Sequence, residues 1–175
     1  MSMFKLILNI LPCLIIMFQP LNAKVESPNY KFDLERLSDF FPDKQSSGLD
    51  SKFGKGELMS NEGGVQTLKY IVKETHYQFP VLVQVKEGVI EDFFARLPSY
   101  FLHDVFFQSL INRNGKQTNM KKTGEEAYYV WEVAPLKHIY SAACTITCFP
   151  IFYAVEKKDA PTKSILLKMK LSNQI

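Results

Sequence analysis

His103 and Asp104 stand side by side in a run that is otherwise apolar or aromatic, Leu97-Pro98-Ser99-Tyr100-Phe101-Leu102-His103-Asp104-Val105-Phe106-Phe107. An imidazole titrates near neutrality and can take a proton from water. A neighbouring carboxylate can hold a divalent cation that stabilises a developing oxyanion. Adjacent helical residues point about 100° apart. Both side chains therefore cannot face solvent squarely, and a buried carboxylate needs a partner or a metal. His103 and Asp104 are thus candidate catalytic residues, with Asp104 the candidate ligand for a divalent cation and Asp92 or Ser99 in support. The same residues also admit a structural reading: a half-buried histidine, and an aspartate favoured by the dipole near a helix N-terminus.

Cys144 and Cys148 are the second chemical feature. Four residues of extended strand would hold their Cα atoms about 13 Å apart, whereas a disulfide spans roughly 4.4–6.8 Å. A bond therefore requires a bend at residues 145–147, which is the expectation here; two buried free thiols are the alternative. A cysteine nucleophile served by His103 or His138 is a further arrangement, although paired cysteines in an oxidising space favour the bond. Tyr129 and Trp131 alternate on one strand face, and Phe106 and Phe107 are adjacent. These four aromatics are candidate binding residues, because adjacent rings cannot all point inward from one element; packing into the core is the competing use.

Three resemblances attach to the His-Asp run. It resembles the active-site helix of secreted phospholipases of the A2 type, with His103, Asp104 and Phe106/Phe107 matching a His-Asp followed by an aromatic. That likeness implies a cation-assisted hydrolase, though that family's glycine-rich calcium loop has no counterpart around the lone Gly88. The order His76, His103-Asp104, Asp159 is similar to the His-Asp metal phosphohydrolases, which are all-helical. The longest likeness is to a phage-associated family of unknown function. It rests on Gly88, then Asp92-Phe93 with Pro98, then Leu102-His103-Asp104. It implies no particular reaction, but would make Asp92 a partner of His103.

The elements that must position these residues follow from periodicity. Leu68, Tyr70 and Val72 alternate, as do Phe79, Val81, Val83 and Val85, and a tight turn at Lys86-Glu87-Gly88 leads into Val89–Ala95. These read as an antiparallel meander. A helix is expected at 99–112, then a polar loop at 112–124. Strand-like runs follow at Ala127–Val133, His138–Tyr153 and Ser164–Leu171. The fold class is α+β: an antiparallel sheet of five to seven strands with one main aromatic-rich helix.

Residues 1–23 read as a cleaved signal peptide: Lys5, an apolar core from Leu6 to Phe18, Pro20, and Ala23 at the exit. Residues 24–64 read as a leader, a short helix after Asp33 and a long loop at 43–64 that holds a short strand near Glu57–Met59. Residues 65–175 read as the globular domain. The implied location is secreted or periplasmic, with no transmembrane segment after cleavage. With 21 basic and 18 acidic residues the charge is nearly balanced, and no basic cluster argues for nucleic acid. Two functions follow. The favoured one is a non-catalytic binding or interaction protein for an unknown protein or small ligand. It would use the aromatics, the basic loop 113–122 and the loop 43–64. The other is a small hydrolase built on His103 and Asp104.

Overall fold

The computed structural model describes residues 37–73, 78–98, 103–145, 147–159 and 163–171. The signal-like segment, Asp33, His76, Ser99 and the turn at 74–77 lie outside the described residues. A 3-10 turn at Ser38–Phe40 and another at Ser46–Gly48 lead into α1 (Leu49–Phe53). Four strands follow: β1 (Glu57–Glu62), β2 (Val65–Lys73), β3 (Gln78–Lys86) and β4 (Val89–Leu97). After α2 (His103–Asn114) come four more: β5 (Asn119–Thr123), β6 (Glu126–Val133), β7 (Leu136–Cys144) and β8 (Cys148–Lys157). The last described element is α3 (Ile165–Leu171).

All eight strands form one antiparallel sheet in the order β1-β2-β3-β4-β8-β7-β6-β5. Each half is a meander, and the halves join along the β4–β8 seam, where Phe93 pairs with Val155 and Phe94 with Ala154. Tight turns fix the register. Gly63 and Gly64 (φ 58° and 81°) close the β1–β2 hairpin, and Glu87 and Gly88 (φ 52° and 81°) close β3–β4. Paired positive φ values match the right-handed strand twist and favour glycine.

Alternation gives each strand two faces. The front face carries Tyr70, Val72, Val81, Val83, Phe93, Tyr140 and Tyr153, and Leu37, Phe40, Leu49, Phe106 and Leu110 complete the main core there. The back face carries Phe94, Ile139, Phe152 and Ala154, covered by Ile165 and Leu166 of α3. A bulge separates the two in β4. Gln84 pairs with Asp92 while Val85 pairs with Ile90, so Glu91 is the extra residue. The bulge reverses the parity: Ile90 joins the front core and Asp92 points to the back.

The α+β expectation is overturned. Among the described residues sheet dominates, with eight strands rather than five to seven, and the helices are short, with no main aromatic-rich helix organising the fold. Two local expectations also change. Ser164–Leu171, read as a strand, is helical over Ile165–Leu171, because Ser164 caps it: its Oγ accepts from the Leu167 amide at 3.3 Å. Part of the polar loop at 112–124 is the edge strand β5, whose residues are all exposed and so lack an apolar period. Residues 37–62 contribute Leu37, Phe40 and Leu49 to the main core, and β1 pairs with β2.

Candidate functional site

The first cluster lies at the start of α2. His103 is half-buried. Its Nδ1 is 2.8 Å from the Tyr140 hydroxyl, and its ring stacks on Phe107 and Tyr140, each with centroids 5.5 Å apart. Burial lowers its pKa, opposed by the nearby Asp104 charge. Asp104 is exposed. Among the described residues the histidine's hydrogen-bond partner is a phenol and not a carboxylate.

Asp92 does not meet His103. The bulge sends it to the back face, where it is 4% exposed. Its Oδ2 accepts from the Ile165 amide at 2.9 Å and from Gln84 Nε2 at 3.3 Å. Burial pushes its carboxyl up to about 7; the Ile165 bond and Lys168 pull down, while Glu156 and Glu91 push up. The sheet thus separates two residues that the phage-family likeness would pair.

The candidate binding aromatics divide. Phe106 and Trp131 are buried in the main core, and the Trp131 indole donates to the Gly115 carbonyl at 2.8 Å. Neither is available to a partner. Phe107 and Tyr129 are half-buried, with rings 4.4 Å apart, and pack beside His103. A second histidine–phenol pair, unsignalled in the sequence, lies deeper: His138 Nδ1 is 2.8 Å from the Tyr153 hydroxyl. Burial, and then the Arg113 charge, lowers the His138 pKa to about 4.

Cys144 and Cys148 face one another across the tip of the β7–β8 hairpin and are disulfide-bonded, with Cα atoms 3.9 Å apart. Cys144 and Cys148 end and begin antiparallel strands and are register partners, which resolves the conflict between strand spacing and a bond. The pairing agrees with the bend-and-bond expectation from the sequence.

The back face holds a feature that the sequence reading missed. A polar row crosses the sheet as successive register partners: Thr67, Gln84, Asp92, Glu156, Lys137 and Glu132. Its β6–β8 end opens into a groove of about 470 Å³. Val130 and Ile139 contribute apolar floor, Leu166 and Leu167 of α3 form one wall, and Tyr128 adds a ring. Lys121, Glu132, Lys137 and Glu156 bring charge to it. Two of these charges are already engaged, in the Lys137–Glu156 pair at 2.9 Å; Glu132 pairs with Lys158 at 2.9 Å. Small-molecule sites have this character, a concave apolar surface of about 300–1,000 Å³ with a few convergent polar groups.

No family model matches the chain, and no curated protein matches it. Among solved structures, the chain is similar to a DUF4309 family protein, YjgB, from Bacillus subtilis. The sequences are 11% identical, the TM-score is 0.43, and the match covers 66% of this chain and 79% of that one. No helix among the described residues is long and apolar enough to cross a membrane.

Proposed function

We propose that this chain is an exported, non-catalytic binding protein, secreted or periplasmic, whose ligand occupies the back-face groove. The groove is the observation that carries the reading: apolar floor and wall, with lysine and glutamate side chains at its border. The signal-like first 23 residues and the disulfide support export, since disulfides persist in oxidising compartments. With Lys137 and Glu132 already paired, Lys121 on the edge strand is the cation best placed to meet an anionic group. The ligand class is therefore a small molecule with an apolar body and one negative charge.

Anilinonaphthalene sulfonate has that chemistry and is the probe to use. Saturable one-to-one binding with fluorescence enhancement is expected for the parent chain. Leu167→Glu should weaken it about tenfold or more by placing a carboxylate on the apolar wall, and Lys121→Glu should weaken it less. Leu167 is 44% exposed, so its replacement spares the core. Binding that fails to saturate, or that ignores Leu167→Glu, would sink the proposal.

A further inference from the structure

The hairpin disulfide sits beside a third potential ligand. A ring nitrogen of His103 and the sulfurs of Cys144 and Cys148 all lie within 4.8 Å of one another. Three elements deliver them: α2 begins at His103, β7 ends at Cys144 and β8 begins at Cys148. Two thiolates and one neutral imidazole are the donor set of a soft, tetrahedral metal site with one position left open. The imidazole is positioned independently of the sulfurs. Tyr140 is bonded to its Nδ1, and Phe107 stacks on its ring. A hydrogen bond and a stacked ring of this kind hold an imidazole ligand in one orientation.

While the sulfurs are bonded to each other they offer no thiolate. We propose that reduction of the Cys144–Cys148 disulfide creates a Cys2His site for a zinc-like divalent ion, completed by His103. Two molecules of an external thiol supply the two electrons and become one disulfide, and Cys144 and Cys148 each gain a proton. Metal binding then forms two metal–sulfur bonds and one metal–nitrogen bond, and releases those two protons to solvent. The disulfide is the closed state of the site and the dithiol its open state. His103 lies on the front face and the ligand groove on the back, so this site stands or falls apart from the groove.

Cobalt(II) reports such a site directly. The full chain is reduced with a phosphine, freed of reductant without air, and titrated with cobalt(II), then back-titrated with zinc(II). One equivalent should bind, with a thiolate-to-cobalt charge-transfer band that zinc abolishes and two protons released per ion. The oxidised chain should give no band. His103→Ala should weaken cobalt affinity by at least about tenfold. His103→Gln serves if the alanine variant fails to show the native emission of Trp131. A reduced parent without the thiolate band overturns the proposal. So does a histidine variant that binds as the parent does, since the cysteines alone would then hold the ion.

Discussion

Asp92 and His138 respond to acid in opposite senses, and the residue scale is where this is measurable. The Asp92 carboxyl is held up at about 7, above the roughly 3.9 of an unfolded aspartate. Its contribution is fully present below pH ~3.9 and is lost as pH rises through about 7. His138 is held down at about 4, below the roughly 6.5 of an unfolded histidine. Its contribution is present above pH ~6.5 and is lost as pH falls through about 4. Between about pH 4 and 6.5 the two offset each other. Asp92→Asn should therefore lose stability on acidification through that window more steeply than the parent. His138→Gln should lose it less steeply. Denaturant titrations at pH 4.5, 5.5 and 6.5, on the order of 1–3 kcal/mol between variants at the extremes, test this. Parallel pH profiles for the two variants would contradict it.

At the element scale, the junction between α1 and β1 is tightly specified. Asp50 Oδ1 accepts from the Tyr70 hydroxyl at 2.9 Å and from the Gly56 amide at 3.2 Å. A Cβ at Gly56 would lie 2.7 Å from Cζ of Tyr70, which is 3% exposed. Gly56→Ala should cost about 1–3 kcal/mol by displacing that ring. The variant Gly54→Ala, whose Cβ meets open space but whose φ is 82°, separates backbone strain from the clash. Equal stability of Gly56→Ala and the parent would show that Tyr70 yields freely.

Legibility from sequence also divides by element. Apolar alternation exposed the front faces of β2 and β3, because Tyr70, Val72, Val81 and Val83 face one dense core. It could not expose β5, an edge strand wet on both sides, nor α3, whose run from Ile165 to Leu167 has no clear period. The pairing of Asp92 with His103 that the phage-family likeness implied fails because a bulge, one inserted residue with no sequence mark of its own, turns Asp92 to the back face. The groove was invisible for a related reason: Lys121, Lys137 and Glu156 converge only through register across β5–β8. The cysteine pair was visible in outline, since a bond between residues four apart in a strand-like run requires a bend.

At the scale of the whole molecule, the two meanders are stitched on both faces. Phe93 meets Tyr153 edge-on in front, with centroids 5.6 Å apart, and Phe94 stacks on Phe152 behind, at 5.2 Å. Neither half can bury its seam strand alone, so the sheet should unfold as one cooperative unit. The single tryptophan, Trp131, lies in the second half and is 1% exposed. Its emission should shift to the red at the same denaturant concentration at which far-ultraviolet dichroism is lost. Separated midpoints would mean that the halves melt independently. Trp131→Phe should cost less than Trp131→Ala, for which about 3–5 kcal/mol is expected.

The strand order also sets a timetable. Every pair of neighbouring strands but one is consecutive in the chain; the exception is β4 with β8, so the second edge of β4 must wait for β8. During synthesis β5, β6 and β7 are all made in between. Throughout that interval β4 presents an unsatisfied backbone edge, flanked by Phe93 and Phe94, to whatever strand comes near. The charged bulge at Glu91 and the exposed Arg96 are the guards this strand carries of its own. The nascent chain is thus most open to wrong pairing in its middle third, and the hairpin that ends that exposure is the one whose tip Cys144 and Cys148 lock.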